Sequence, residues 1–179
     1  MRRLAGLLGI VWAVAFLLEG ATRESTRTPE IVPAILSPAE QNLAIVVNLS
    51  NPLANLTRQE LHSIFLGERN YWPNGRKITL VLREAGEAER KTVLRDICRM
   101  NEEEYKNHIL HGLYTGEILV SPKILATPAG VRKFVFNVPG AIGYLRASDV
   151  DATVKVVRVD ELLPEDQGYK LHVEPISAK

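Results

Sequence analysis

The residues best able to do chemistry in this sequence are Arg83, Gly86, Glu87 and Glu89, which follow the apolar run from Ile78 to Leu82. An arginine guanidinium binds oxyanions and carboxylates through charge-assisted hydrogen bonds. Carboxylates in the first turn of a helix are stabilised by its dipole, by about 0.3–1 kcal/mol each, and so use the attraction that an anion would need. They also repel an anion about 4 Å away by roughly 1 kcal/mol in water. The cluster is therefore either a small-oxyanion site or a self-capped helix with a salt bridge to Arg83, and the two acids favour the second.

A second group of polar residues follows the apolar run from Leu43 to Val47, which has the length and composition of a strand covered on both faces. Asn48, Ser50 and Asn51 come directly after this strand. Open α/β sheets bind ligands at the carboxyl ends of their strands, so Asn48 and Ser50 are secondary candidates for ligand binding. The pair Asn51-Pro52 is equally typical of a simple turn.

Two histidines have a spacing that metal ligands can have. His108 and His111 are three residues apart in a predicted helix, and Glu104 lies one turn before His108. Without cysteines or further histidines nearby, such a pair is more typical of a helix surface, so we expect no metal and no cofactor. Tyr71 and Trp72 either shape a ligand pocket or cover an edge of the core, and their place between a helix and a turn favours the core.

The sequence contains no nucleophile elbow, no P-loop, no Cys/His pattern with the spacing of zinc ligands and no catalytic-triad motif of Ser, His and Asp. We therefore predict that the protein is not an enzyme. The net charge of +1, without a basic stripe, gives no support for a nucleic-acid partner.

A length of 179 residues with 46% hydrophobic content is typical of one globular domain. Cys98 is the only cysteine, so no intramolecular disulfide can form. Its place on an apolar helix face predicts a buried, unreactive thiol.

The N-terminus has the pattern of an export signal. Arg2 and Arg3 precede an uncharged run from Leu4 to Leu18, which is short for a membrane span of about 20 residues. Residues 1–21 are therefore predicted to be a signal peptide, either cleaved or kept as an N-terminal membrane anchor. The protein is accordingly expected to be periplasmic or otherwise extracytoplasmic. Residues 22–42, with three prolines and scattered charges, are predicted to be a linker.

Between residues 43 and 160 predicted strands alternate with predicted helices, which indicates an α/β fold with a mostly parallel sheet flanked by helices. Thr57 and Glu60 form a capping box that begins a helix, and Gly67 is placed to end it. The sequence Trp-Pro-Asn-Gly at 72–75 predicts a turn before the second strand. Further helices are predicted at 88–100, from 101 and at 127–138, with short strands at 141–145, 154–159 and 170–173.

Three segments of this pattern carry a family resemblance: NPLANLTRQELHSIFLGERNYWPNG at 51–75, YTG at 114–116 and NVPGAIGYL at 137–145. Together they resemble the phosphate-type periplasmic substrate-binding proteins of ABC transporters, and most closely their short, single-unit members. The resemblance covers about residues 43–160 and implies a type 2 periplasmic-binding-protein-like domain. We expect this domain to be truncated relative to the two-lobed members, whose N-terminal glycine- and serine-rich loops have no match here. Residues 161–179 are then expected to be a C-terminal tail.

The resemblance also implies a ligand-binding set. Arg83 matches the family's arginine at the end of a strand, and Gly86 matches the turn after it. The family's Ser-Gly-Thr, which holds an anion at a helix start, is matched by Glu-Ala-Glu at 87–89. Thr115, in the YTG segment, completes the set. The implied partners are phosphate or another small oxyanion, bound weakly if at all, and a permease or other envelope protein; the alternative is a ligand-free interaction module of the cell envelope that keeps the fold.

Overall fold

The computed structural model describes residues 41–174, which form one sheet covered by helices. The strands are β1 Leu43–Val47, β2 Asn55–Leu56, β3 Thr79–Arg83, β4 Lys123–Leu125, β5 Ala141–Arg146 and β6 Lys155–Val159. The helices are α1 Arg58–Phe65, α2 Ala88–Val93, α3 Glu102–Thr115 and α4 Pro128–Asn137. A π-turn, Leu94–Cys98, continues α2. The strand order is β2-β6-β1-β5-β3-β4.

The α/β class is confirmed, and the direction of β1 makes the sheet mixed. β3 runs parallel to β4 and β5, and β2 runs parallel to β6, whereas β1 runs antiparallel to both β5 and β6. Three of the five pairings are therefore parallel. Because β1 is reversed, its carboxyl end lies at the opposite edge of the sheet from the carboxyl ends of β3, β4 and β5.

The core consists of two apolar clusters, one on each face of the sheet, and every residue of β1 is buried between them. The larger cluster packs α1, α2 with its π-turn, and α3 against one face. The smaller cluster lies under α4 and includes Val131 and Val135. Cys98 belongs to the larger cluster, where burial raises the pKa of its thiol to about 12, so the predicted buried thiol is confirmed.

Local signals in the sequence begin three of the four helices. Thr57 and Glu60 form the predicted capping box of α1, and Asn101 and Glu104 form a second one at the start of α3. The Thr127 side chain accepts a hydrogen bond from the third N–H of α4, whose first residue is a proline. Each cap satisfies an N–H group that the helix itself leaves unpaired.

The predicted Trp-Pro-Asn-Gly turn at 72–75 is fixed to the chain just before β5 by a hydrogen bond. The buried Trp72 ring donates from Nε1 to the carbonyl oxygen of Gly140 at 3.0 Å. Position 140 admits only glycine, because a Cβ atom there would lie 2.1 Å from the carbonyl oxygen of Lys77. Trp72 therefore covers an edge of the core, while its neighbour Tyr71 is half exposed.

The domain continues past residue 160, where a tail was expected. Tyr169, Leu171 and Val173 are buried in the larger cluster. The backbone N–H of Leu43 donates to the carbonyl of Leu171 at 2.8 Å, and the Tyr169 hydroxyl donates to the carbonyl of Leu43. The segment packs because its alternate residues are apolar, even though prolines, acids and a glycine precede it.

Among residues 41–174, no helix has both the length and the apolar character that a bilayer crossing requires. The predicted signal peptide or anchor at 1–21 lies outside the described residues, as does nearly all of the predicted linker at 22–42. Those two predictions stay predictions.

Candidate functional site

The candidate site lies at the carboxyl edge of β3 and β5, which we call the arginine edge because Arg83 ends β3 and Arg146 ends β5. After β3 the chain turns at Gly86, whose φ of +93° is costly for any residue with a side chain. Helix α2 then begins above the edge, with Glu87 as its N-cap residue and Glu89 in its first turn. The structure therefore brings an arginine, a glycine turn and the start of a helix together in one region, as the sequence predicts.

Arg83 is buried, and its charge is already paired. Its Nη2 atom donates to the Glu87 carboxylate at 2.9 Å and to the carbonyl oxygen of Ala126 at 2.9 Å. Its backbone N–H donates to the hydroxyl of Tyr144 at 2.9 Å, which fixes the end of β3 against β5. Its Nε atom is buried without a hydrogen-bond partner among the described residues. The predicted salt bridge of Arg83 is thus present.

The predicted self-capping of α2 is wrong in one respect. Glu87 occupies the N-cap position, but its side chain makes no capping hydrogen bond. Its carboxylate turns to Arg83 instead and supplies the buried guanidinium with a counter-charge. Glu87 remains partly accessible, with 41% of its side chain exposed.

Arg146 forms a second and more deeply buried ion pair, which the sequence did not reveal. Its Nε atom donates to Glu89 at 2.5 Å, and the two side chains are only 12% and 7% exposed. Its Nη2 atom is buried and has no hydrogen-bond partner within residues 41–174. Arg146 follows the predicted strand at 141–145 directly, so its place at a strand end was the available signal.

A third arginine connects the edge to α3. Arg90 donates from Nη1 to the backbone carbonyl of Arg83 at 2.8 Å. It also binds the Glu102 carboxylate through two hydrogen bonds, of 2.9 and 2.5 Å. Such bidentate pairing fixes geometry as well as charge. Each of the three arginines around the start of α2 therefore has one glutamate as its partner, and their positive charges are neutralised within the fold.

Asn48 and Ser50 do not join this site, because the reversal of β1 carries them to the opposite edge of the sheet. The Asn48 amide donates to the carbonyls of Val135 and Phe136 at 2.8 and 2.6 Å, and so closes the last turn of α4. Its oxygen accepts from the backbone N–H and the hydroxyl of Ser50. The hydroxyl of Ser50 also accepts from Arg76. Both side chains are engaged in local structure.

Thr115 is distant from the arginine edge as well. It is the last residue of α3, a 14-residue helix whose start lies beside Arg90, and a rise of 1.5 Å per residue puts it about 20 Å along that helix. Its hydroxyl donates to the carbonyl of Gly112 at 3.3 Å. On the same helix, His108 hydrogen-bonds to the Leu66 carbonyl at 2.9 Å. Residues 41–174 hold no group of three or more His, Cys, Asp or Glu side chains placed to bind a metal ion.

Comparison with known proteins assigns the chain to a family. Residues 39–172 match the model of the PBP superfamily domain, which is about three quarters of the sequence. The chain belongs to the PBP superfamily. This is a family of solute-binding proteins rather than of enzymes, so the prediction of a non-enzyme is confirmed, as is the family resemblance of the sequence.

Solved structures of this superfamily share the fold over about two thirds of the chain. A crystal structure of an ABC-type phosphate transport receptor from Vibrio cholerae matches with a TM-score of 0.56 and 26% identity, covering 69% of this chain and 48% of that one. A structure from Clostridium perfringens, described as a phosphate ABC transporter substrate-binding protein with bound phosphate, matches with a TM-score of 0.56 and 25% identity, covering 68% and 46%. The chain therefore spans about half the length of these PBP-superfamily proteins.

Proposed function

We propose that this chain is an extracytoplasmic solute-binding-like module whose arginine edge binds phosphate or another small oxyanion weakly if at all. Membership of the PBP superfamily and the likeness to phosphate transport receptors support the ligand class. The apolar run from Leu4 to Leu18 behind two arginines supports export. By the same likeness, the proposed protein partner is a permease or another component of the cell envelope.

The observation that carries the proposal is the occupation of Arg83 by the protein's own carboxylate. An anion arriving at the arginine edge has to compete with Glu87 for the charge of Arg83, whose Nη2 atom already bonds to Glu87 and to Ala126. Glu87 and Glu89 stay tethered beside the incoming charge. Two like charges 4 Å apart repel by about 1 kcal/mol in water and by about 4 kcal/mol at an effective dielectric constant of 20.

Calorimetric titration with phosphate, sulfate and acetate tests this proposal. For the unaltered chain we expect a phosphate dissociation constant above roughly 1 mM, which corresponds to less than about 4 kcal/mol of binding free energy. The variant Glu87→Ser frees Arg83 and removes one repelling charge, so its phosphate affinity should rise by at least about tenfold, or roughly 1.4 kcal/mol. The matched control is Glu68→Ser, which removes an exposed glutamate that makes no contact with Arg83.

Two results would contradict the proposal in different ways. Micromolar phosphate binding by the unaltered chain would mean that Glu87 does not obstruct the site. Equal, negligible binding by Glu87→Ser and Glu68→Ser would mean that the arginine edge has no anion site to unmask, and would favour a module without a ligand.

The second candidate is that ligand-free interaction module, and one observation favours it. Several large apolar side chains are exposed from the second half of α3 to the edge strand β4. Tyr114, on α3, is 91% exposed; the others are Leu110 on α3, Leu119 and Val120 after it, and Ile124 on β4. Exposed apolar patches mark interaction sites more often than isolated apolar residues do. Co-purification from envelope membranes that is lost in Tyr114→Asp would support this candidate, and recovery of a free monomer would count against it.

A further inference from the structure

A cavity of about 780 Å³ lies beside the arginine edge, between the π-turn of α2 and the start of α3. Its volume falls within the range of small-molecule sites, about 300–1,000 Å³. Gly86 lines it on the side of the arginine edge, but Arg83, Glu87 and Arg146 do not line it. This cavity is therefore separate from the Arg83–Glu87 and Arg146–Glu89 ion pairs of the arginine edge.

Two cations in the wall of this cavity have no ion-pair partner within residues 41–174. They are Lys91 and Arg99, and both are exposed to solvent. Arg95, which lies between them in the sequence, is held by Asp96 at 2.7 Å and by Glu174 at 2.5 Å. Lys91 and Arg99 thus offer positive charge that the described fold does not use.

The carboxylates of the same wall are mostly committed to other groups. Glu102 is paired with Arg90 at 2.5 Å. One oxygen of Glu104 accepts from the backbone N–H of Asn101 in the capping box of α3. Glu104 keeps its negative charge, so within residues 41–174 the wall has two cations without an ion-pair partner against one such carboxylate, and an anion entering the cavity meets a small excess of positive charge.

The cavity also has an apolar side. Leu94 and Met100 line it, and the backbone N–H of Met100 donates to the carbonyl of Leu94 at 3.0 Å. That bond closes the π-turn, after which Arg99 takes a left-handed conformation with φ of +57°. A left-handed residue at this position is a common way for a helix to end. Arg99, one of the two cations unpaired within residues 41–174, therefore directly precedes Met100 of the apolar side in the sequence.

We propose that this cavity binds a small organic carboxylate. The carboxylate group pairs with Lys91 and Arg99, and the hydrocarbon part lies on Leu94 and Met100. Inorganic phosphate can use the two cations but gains nothing from the apolar side, so the cavity prefers a carboxylate with a hydrocarbon body. This binding uses none of the residues on which the proposed phosphate function rests, and the two proposals can fail separately.

Methionine methyl NMR on the full chain tests the proposal, with hexanoate as the probe. The sequence has two methionines, Met1 and Met100, so the Met100 signal can be assigned with the variant Met100→Leu. Hexanoate should shift the Met100 methyl signal in a saturable way, whereas hexylamine and inorganic phosphate should leave it in place. The double variant Lys91→Gln/Arg99→Gln should weaken hexanoate binding by roughly tenfold, since each exposed ion pair is worth about two- to fivefold.

The matched control removes two exposed lysines elsewhere on the surface. Lys106→Gln/Lys133→Gln lowers the net charge equally but leaves the cavity wall intact, so its hexanoate affinity should stay within twofold of the unaltered chain. The proposal is overturned if hexanoate does not move the Met100 signal. It is overturned equally if hexylamine binds as well as hexanoate, or if both double variants bind hexanoate alike. All four altered residues are exposed, so folding of the variants is expected.

Discussion

Replacing Glu89 with glutamine should be among the most destabilising single-charge changes in the described domain. Arg146 Nε and the Glu89 carboxylate oxygen lie 2.5 Å apart, and only 12% and 7% of the two side chains are exposed, so water has little access to either charge. The variant Glu89→Gln leaves the Arg146 guanidinium in place without a counter-charge. Arg146 already has one buried nitrogen that lacks a hydrogen-bond partner within residues 41–174, which adds to the cost.

The expected magnitude follows from burial. Removing one partner of a buried ion pair costs about 3–5 kcal/mol, and because glutamine keeps one oxygen as an acceptor we expect about 3 kcal/mol. For a domain of this size, 1 kcal/mol lowers the melting temperature by roughly 4 °C, so the fall should be about 12 °C. The same change at Glu174, whose side chain is 77% exposed, should cost less than about 0.5 kcal/mol. The Glu87 side chain is 41% exposed, so Glu87→Gln should lower the free energy of unfolding by about 1 kcal/mol, an intermediate cost.

Thermal and urea unfolding of the three glutamine variants provides the assay. The order of destabilisation should be Glu89, then Glu87, then Glu174. A double variant, Glu89→Leu/Arg146→Met, should recover most of the stability lost in Glu89→Gln, because it removes the unpaired buried charge and fills a similar volume. If Glu89→Gln costs no more than Glu174→Gln, the ion pair of Arg146 and Glu89 is not the buried contact described here.

Two substitutions and one labelling experiment test other parts of the structure. Gly140→Ala should cost more than about 2 kcal/mol in urea unfolding, since its Cβ would meet the Lys77 carbonyl oxygen at 2.1 Å; an unchanged midpoint would contradict the close approach. Trp72→Phe removes the hydrogen bond to Gly140 and should cost about 1–2 kcal/mol, with little change in the urea m-value. The Cys98 thiol, whose pKa is raised to about 12 by burial, should not react with Ellman's reagent at pH 8 until the protein unfolds. Its contribution to stability is complete below a pH of about 8.5, the pKa of an unfolded cysteine, and is lost progressively above it; rapid labelling of the folded protein would contradict the burial.

The features that the sequence predicted correctly depend on residues close together in the chain. The capping box of Thr57 and Glu60 spans four positions, and the salt bridge of Arg83 and Glu87 has the spacing of one helical turn. The apolar runs that became β1 and β3 are equally local, since burial on both faces leaves a continuous hydrophobic stretch.

The features that the sequence did not predict depend on strand direction and on partners far apart in the chain. The direction of a strand cannot be read from an apolar run, so the sequence did not reveal that Asn48 lies at the opposite edge of the sheet from Arg83. Arg146 and Glu89 are 57 residues apart and meet only because β5 pairs with β3. The burial of Tyr169 and Leu171 requires contacts with Leu43, more than 120 residues earlier.

A crystal structure of the chain grown at neutral pH in the presence of phosphate tests most directly whether its own acids occupy the arginine edge. The prediction is that the Glu87 carboxylate lies within hydrogen-bond distance of Arg83 and the Glu89 carboxylate on Arg146, with no anion between them. A tetrahedral ion bound to Arg83, with Glu87 turned toward solvent, would contradict it.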